Sequence, residues 1–235
     1  IEQMPKGSVL VYTSAQGDTT QYDHEWLEKF GVEVIRDKSK ILLPTPRVGR
    51  AVREIVRSKG IKRVFFGAAA PLGLLSHGLR KEGATTIVAL THGHEVWWAK
   101  LWPFSWAMKR IGKGVDALTY LGDFTRRAIS RALTADAAAS MVRIAPGIDT
   151  EHFAPVLDAD ELKRELELDG KRVIVSVGRL VHRKGQDTLV EALPQILNEF
   201  PDAHLLFVGV GPHLEYIHKR AIQLKVLDHI SFVGR

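Results

Sequence analysis

The sequence contains no cysteine, which excludes disulfide bonds and thiolate metal sites and fits a reducing compartment such as the cytoplasm. It also has no run of about 20 apolar residues, the length that spans a bilayer. The opening residues, Ile1 to Lys6, lack the apolar segment of a secretory signal peptide. Because the chain begins on Ile and stops directly after a strand-like run, we expect it to be part of a longer protein.

Basic residues outnumber acidic ones, and the formal net charge at pH 7 is +6 among 235 residues. Such a surplus favours anionic partners, which are nucleic acids, phosphorylated ligands or an anionic membrane surface. The basic residues are dispersed and no nucleic-acid recognition motif is present, so we expect no nucleic-acid partner.

Short β-branched runs alternate with amphipathic segments along the whole chain. This alternation predicts an α/β fold with parallel sheets, whose buried strands read as continuous apolar runs. The predicted strands are Val9–Thr13, Val32–Arg36, Arg63–Phe66, Thr86–Leu90, Ala117–Leu121, Met141–Ile144, Arg172–Val177, His204–Val208 and Ile230–Val233. The predicted helices include Val48–Ser58, Leu72–Lys81, Phe124–Leu133, Asp160–Leu168, Thr188–Phe200 and Leu214–Leu224.

A boundary is predicted around residues 146–158, where a Pro-Gly turn ends one strand and a polar stretch precedes a new helix. After it the alternation restarts at Arg172. We interpret the boundary as a hinge between two doubly wound domains, 1–148 and 149–235, since nine strands crowd a single open sheet. The alternative is an ordinary loop within one large sheet.

The segment most informative about chemistry follows the strand Val173 to Val177, which we expect to be buried. Gly178 allows close approach of the backbone to a ligand, and the helix that opens near Asp187 favours anions at its N-terminus. Arg179 and Lys184 add two cations at the carboxyl end of a strand, where ligands bind in such folds. This pattern suits a diphosphate that carries negative charge when it leaves. The alternative is a solvated basic loop.

This segment resembles the donor-phosphate signature of glycosyltransferase family 4. The matching residues are Gly178, Arg179, Leu180, Lys184, Gly185, Leu189 and Ala192. The resemblance implies the GT-B architecture of two facing Rossmann-like domains and sugar transfer with retention of anomeric configuration. It also implies that Arg179 and Lys184 bind the pyrophosphate of a nucleotide-sugar donor, with no bound metal and no permanently bound cofactor.

A second segment, Leu90-Thr91-His92-Gly93-His94-Glu95, ends another predicted strand. The resemblance implies that a histidine here faces the donor sugar, and His92 is the better match than His94. Such a side chain can hydrogen-bond a sugar hydroxyl, whereas a lone histidine at a strand end is usually structural. Glu95 either caps the next segment or touches the acceptor.

Several glycines follow other predicted strands. Gly209-Val210-Gly211 fails as a dinucleotide fingerprint, because Leu214 occupies the position of the third glycine. The resemblance implies that this pair turns the chain at the donor pocket and that Gly234 and Arg235 lie near the nucleotide base.

Four of the five tryptophans are clustered with basic residues in a short stretch interrupted by Pro103. Aromatic side chains beside cations are typical of a surface that contacts an anionic membrane. The residues of this predicted membrane or acceptor surface are Trp97, Trp98, Trp102, Trp106, Lys109 and Arg110. The alternative is that these aromatics pack in the core or form a cleft wall, and Pro103 argues against one uninterrupted helix.

Within the family, the sequence is most similar to actinobacterial mannosyltransferases that act on phosphatidylinositol mannosides. The segments that carry this similarity are Leu43–Pro46, Phe66–Leu72, Thr91–Val96 and Arg183–Asp187. The resemblance implies GDP-mannose as donor, a membrane lipid as acceptor and a peripheral position on the cytoplasmic face of the membrane.

The sequence departs from the family pattern at both ends. The family's first strand with its glycine-rich loop is missing, and so is a late pair of glutamates spaced seven residues apart that contacts the donor. We therefore expect this chain alone to be nearly inactive. The rival hypotheses are another enzyme of the same architecture, such as a sugar-nucleotide epimerase, and a module that binds a sugar nucleotide or lipid headgroup without turnover.

Overall fold

The computed structural model describes residues 3–17, 19–155 and 159–234. The chain divides into two compact units, Ile1–Ile148 and Asp149–Arg235, and each is described by itself. Both units are built from parallel strands connected by helices, as predicted for an α/β fold.

All nine predicted strands are present, with bounds that differ from the predicted ones by at most one residue at either end. They are β1 (Leu10–Ser14), β2 (Glu33–Asp37), β3 (Arg63–Phe66), β4 (Thr86–Leu90), β5 (Ala117–Tyr120), β6 (Val142–Arg143), β7 (Arg172–Val177), β8 (Ala203–Val208) and β9 (Ile230–Val233).

The six predicted helical segments are also helical, although the one at Leu72 begins as a 3-10 turn. The α-helices are α1 (Thr20–Phe30), α2 (Pro46–Ser58), α3 (Ser76–Lys81), α4 (Glu95–Lys100), α5 (Phe104–Gly114), α6 (Asp123–Ser130), α7 (Ala135–Ala139), α8 (Asp160–Glu165), α9 (Gln186–Glu199) and α10 (Leu214–Gln223). Local chemistry explains the start of α2. Pro46 occupies its first turn, and the Thr45 hydroxyl accepts a hydrogen bond from the Val48 amide at 3.3 Å.

Unit 1 contains two parallel sheets. The smaller one pairs β1 with β2, and the larger one has the order β3-β4-β5-β6. Within the described residues, one edge of β1 and one edge of β3 have no partner strand. Leu10 and Tyr12 of β1 and Val64 and Phe66 of β3 line the same cavity of about 170 Å³. Two free strand edges therefore border one largely apolar space.

The core of unit 1 lies between the larger sheet and its helices. Ile87 and Leu118 of neighbouring strands are fully buried, and Met108, Ile111 and Ile129 cover them from α5 and α6. The apolar residues recur at helical spacing, so the core holds these helices against the sheet.

Unit 2 has one parallel sheet with the order β7-β8-β9. The buried Leu205 and Phe207 of β8 pack in one core with Val190 of α9 and Ile217 of α10. The expectation that β7 is a buried strand is wrong. Its side chains at positions 173, 175 and 177 are exposed, because β7 lies at the edge of the sheet and the described part of the chain leaves one of its faces uncovered.

A polar network fixes the end of β2 in unit 1. The Asp37 carboxylate is almost fully buried and accepts two hydrogen bonds from the Arg47 guanidinium, at 2.6 and 2.9 Å. The Tyr12 hydroxyl and the Ser39 amide also donate to this carboxylate. The hydrogen bonds from Arg47, Ser39 and Tyr12 hold the pKa of Asp37 well below its ordinary value.

We predict that Arg47→Gln destabilises unit 1 at pH 7 and still destabilises it at pH 3. Because the folded state depresses the pKa of Asp37, the carboxylate stabilises the fold above its unfolded pKa of about 4. This stabilisation is lost only as the pH falls through the folded pKa, which lies below pH 3, so the variant remains less stable than the wild type at pH 3. The measurement is urea unfolding followed by tryptophan fluorescence, which reports on unit 1 because all five tryptophans lie there.

The matched control is Arg57→Gln, which removes an exposed arginine paired with Glu54 on the same helix. We expect little change at either pH, since exposed ion pairs contribute little. A loss for Arg47→Gln no larger than that for Arg57→Gln at both pH values would show that the buried pair of Arg47 and Asp37 does not stabilise the fold.

Candidate functional site

The loop after β7 in unit 2 is held by backbone hydrogen bonds to the loop after β8. The Gly178 amide donates to the carbonyl oxygen of Val208 at 2.9 Å, and the Leu180 amide donates to that of Val210 at 3.1 Å. The two loops therefore continue the pairing of their strands beyond the carboxyl ends of those strands, where an α/β fold binds ligands.

Two glycines make this contact between the loops possible. A Cβ on Gly209 would lie 2.3 Å from the carbonyl oxygen of Gly178, and a Cβ on Gly211 would lie 2.1 Å from that of Leu180. Gly209 also has a φ of +136°, which side chains disfavour. In this structure the pair Gly209 and Gly211 packs against the loop that carries Arg179.

The cations predicted to bind phosphate are available to a ligand. The side chains of Arg179 and Lys184 are exposed, and no ion pair of either one occurs within the part of the chain that the structure describes. Gly185 adopts the left-handed conformation at a φ of +72° and directly precedes α9. Two unneutralised cations in the loop that leads to a helix N-terminus form an arrangement that attracts phosphate.

The predicted histidine segment of unit 1 begins with a fixed backbone. The buried Thr91 hydroxyl donates to the carbonyl oxygen of Thr119 on the neighbouring strand β5 at 2.7 Å. His92 is exposed, and its Nε2 lies 2.6 Å from the carbonyl oxygen of Gly67. Since a carbonyl oxygen only accepts, this contact places a proton on Nε2. In a neutral ring, Nδ1 of His92 is then left as an acceptor for a ligand hydroxyl.

Glu95 acts as a cap in this structure. Its side chain is fully buried, and its Oε2 accepts a hydrogen bond from the His92 amide at 3.0 Å. Gly93 between them has a φ of +95°, a conformation suited to glycine. His94 is exposed, with its Nε2 3.4 Å from Oε1 of Glu95. Glu95 therefore fixes the backbone that presents His92.

The tryptophan cluster forms two helices with a break between them, as the position of Pro103 predicts. Trp97, Trp102 and Trp106 are 68%, 83% and 57% exposed. The Lys100 ammonium lies 5.5 Å from the ring centroid of Trp97, and the Arg110 guanidinium lies 5.8 Å from that of Trp106. These five residues are called the tryptophan face below.

Trp98 is not part of this face, which corrects the prediction. It is partly buried and packs against the core of unit 1, and its ring lies 4.9 Å from that of Phe104. A helix turns about 100° per residue, so the neighbours Trp97 and Trp98 point in different directions. Lys109 is exposed on α5.

Two further predicted residues follow β9. Gly234 is exposed, and Arg235 lies outside the described residues. None of the helices that the structure describes has the length and apolar character needed to cross a bilayer.

Comparison with known proteins identifies the signature segment. Residues 158–235 match the family described as Glycosyl transferases group 1. The chain is 40% identical over 225 residues to the GDP-mannose-dependent alpha-(1-6)-phosphatidylinositol monomannoside mannosyltransferase of Mycolicibacterium smegmatis, covering 95% of this chain and 58% of the relative. The chain is a glycosyltransferase relative.

A second protein similar to this chain comes from Corynebacterium glutamicum. It is named GDP-mannose-dependent monoacylated alpha-(1-6)-phosphatidylinositol monomannoside mannosyltransferase, and the 36% identity covers 97% of this chain and 59% of that protein. The chain thus spans somewhat more than half the length of the curated relatives it matches. The predicted resemblance to this family and to the mannosyltransferases of phosphatidylinositol mannosides is confirmed.

Solved structures of other proteins have a fold similar to that of this chain. Anabaena HepE, crystallised in complex with UDP and glucose, aligns with a TM-score of 0.73 at 14% identity over 96% of this chain and 69% of that one. A glycosyltransferase from Rickettsia africae aligns with a TM-score of 0.67 at 16% identity over 97% and 68%. The predicted α/β class with GT-B relatives is confirmed.

We predict that Gly209→Ala lowers the local stability of unit 2 by about 2 kcal/mol or more, because a methyl group there clashes with the backbone of Gly178 and strains φ. The measurement is native-state hydrogen exchange of the β7 and β8 peptides. The control is Gly170→Ala, whose φ is +71° but whose Cβ would have no atom within 4 Å. It should cost only about 1–2 kcal/mol from the backbone conformation. Equal effects of the two substitutions would show that the loop contact is not tight.

Proposed function

We propose that the complete protein is a retaining mannosyltransferase that transfers mannose from GDP-mannose to a phosphatidylinositol mannoside lipid. The observation that carries this proposal is the pair of unneutralised cations, Arg179 and Lys184, in the loop between β7 and α9. The names of the relatives, which use GDP-mannose and phosphatidylinositol monomannosides, supply the chemical identity of donor and acceptor.

The role of the two cations at the donor follows from the negative charge of the diphosphate. When the sugar leaves a nucleoside diphosphate, negative charge develops on the phosphate oxygens, and preorganised cations stabilise it. Arg179 offers planar hydrogen bonds to two oxygens, and Lys184 offers a compact charge. These two side chains supply the neutralisation that a divalent ion supplies elsewhere, so this step needs no metal at the diphosphate.

The sugar end of the reaction is assigned to His92. Its ring is held by the carbonyl oxygen of Gly67, and its amide is held by Glu95. The free Nδ1 of the neutral ring accepts a hydrogen bond from a sugar hydroxyl, which orients the anomeric carbon. Gly93, beside it, leaves room for the ligand next to the backbone. The division into domains 1–148 and 149–235 assigns His92 to one domain and the phosphate loop to the other.

A lipid acceptor lies in a membrane, and we assign membrane binding to the tryptophan face. Exposed indole rings partition into the headgroup region of a membrane, and Lys100 and Arg110 are attracted to anionic lipids. The net charge of +6 acts in the same direction. We assign the complete protein to the cytoplasmic face of the membrane, bound peripherally through this face.

We predict that the complete protein converts labelled GDP-mannose and phosphatidylinositol monomannoside to the dimannoside. Arg179→Ala should reduce kcat/KM by about a hundredfold, because charge-assisted hydrogen bonds contribute roughly 1.5–3 kcal/mol and each 1.4 kcal/mol is a factor of ten. The measurement is thin-layer separation of the labelled lipid. The control is Arg183→Ala, which removes an exposed cation from the same loop and should leave the rate within about twofold of the wild type.

The assay separates the proposal from its rivals. Donor binding without any labelled lipid would support a binding module, and consumption of the donor without transfer to lipid would support a different enzyme. Equal activity of Arg179→Ala and Arg183→Ala would remove the assigned role of Arg179.

We predict that the double substitution Trp102→Ser and Trp106→Ser reduces binding to vesicles containing phosphatidylinositol by about tenfold, since it removes two indole rings that bury apolar surface in the bilayer. The measurement is co-sedimentation of the complete protein with vesicles. Added salt should weaken the binding of the wild type, because ions screen Lys100 and Arg110. The control is Phe124→Ser, which removes an aromatic ring that is 73% exposed elsewhere in unit 1. An equal loss in the control would exclude a specific tryptophan face.

A further inference from the structure

Three side chains that are separate from the predicted phosphate ligands converge in unit 2. His182 lies in the 3-10 turn His182–Lys184, Asp187 lies in the first turn of α9, and His213 directly precedes α10. Oδ2 of Asp187 is 3.0 Å from Nδ1 of His182 and 3.5 Å from Nε2 of His213. One ligand atom from each residue lies within 4.8 Å of the other two.

His213 is left incompletely satisfied in this cluster. Its Nε2 is buried and has no hydrogen-bond partner among the described residues. Its ring is fixed by stacking on Tyr216, with centroids 4.7 Å apart, and by an edge contact with His182 at 5.4 Å. A buried polar atom without a hydrogen bond is costly, so this oriented imidazole nitrogen is suited to binding a ligand.

The carboxylate of Asp187 is ionised at neutral pH. Its Oδ2 lies near Nδ1 of His182 and Nε2 of His213, and its Oδ1 accepts a hydrogen bond from the Thr188 amide at 3.1 Å. A carboxylate that faces two imidazole nitrogens is a donor set that transition metals accept.

We propose that His182, Asp187 and His213 bind one divalent transition-metal ion, with Zn²⁺ the best match to this donor set. Zinc bonds of about 2.0–2.1 Å in a tetrahedron place neighbouring ligand atoms roughly 3.3 Å apart, close to the two separations observed. Small movements of the side chains would therefore complete the coordination, and the fourth position would be taken by water.

The ion would connect three segments that otherwise meet through backbone contacts. The turn 182–184 continues from the loop that carries Arg179, and His213 ends the loop that contains Gly209 and Gly211. The metal would thus stabilise the arrangement of the two loops. It lies outside the diphosphate chemistry assigned to Arg179 and Lys184, and it revises the sequence-based expectation that no metal is bound.

His182 provides the sharpest test because its side chain is 85% exposed and can be removed without opening the core. The complete protein, freed of metal with a chelator, is titrated with Co²⁺, whose visible absorption distinguishes four-coordinate from six-coordinate binding. Zn²⁺ is then added to displace it. We expect one four-coordinate ion per chain, and an affinity at least about tenfold lower in His182→Ala and in His213→Ala.

The control is His24→Ala, an exposed histidine beside Glu28 in unit 1, which should leave the affinity unchanged. Zn²⁺ should also slow hydrogen exchange of the 178–185 and 209–213 peptides in the wild type and not in His182→Ala. Equal affinity in His182→Ala, His24→Ala and the wild type would mean adventitious binding, and would overturn the proposal. Intense four-coordinate absorption that survives in His182→Ala would do the same, since it would place the ion elsewhere.

Discussion

The contact between the loops that follow β7 and β8 organises unit 2. Two backbones approach each other where the strands end, and glycines at 209 and 211 are what permit this approach. The hydrogen bonds of Gly178 and Leu180 then fix the path of the chain that carries Arg179 and leads to Gly185 and α9. Backbone packing thus fixes the chain from which the two cations extend, while their exposed side chains remain available to a phosphate.

The fold was largely predictable because each element has a strong local signal. Short β-branched runs located all nine strands, and the amphipathic pattern of the segment at Val48 located α2. The short helices α4 and α7 carry weaker signals, since a helix of one or two turns has too few residues for a clear period. The exposed side of β7 could not be predicted, because an apolar run does not reveal which neighbours cover it.

The candidate site was predictable for those residues that come shortly after a strand in the sequence. Arg179 and His92 lie within two residues of the end of a strand, and Lys184 lies in the turn after Arg179, so their placement near the carboxyl ends of the sheets follows from connectivity. The roles of Glu95 and Trp98 depended on side-chain direction, which a sequence leaves open between neighbours. The cluster of His182, Asp187 and His213 brings together residues up to 31 positions apart, and no spacing rule connects a turn after one strand with the loop after the next.

In unit 1, β1 and β3 each have one edge without a partner strand among the described residues. Each edge presents unpaired amides and carbonyls along one side of a shared apolar cavity. Free strand edges of this kind can pair with an extended segment through backbone hydrogen bonds. They are also the places where sheets of separate molecules join, so these two edges favour the self-association of unit 1 wherever they are left uncovered.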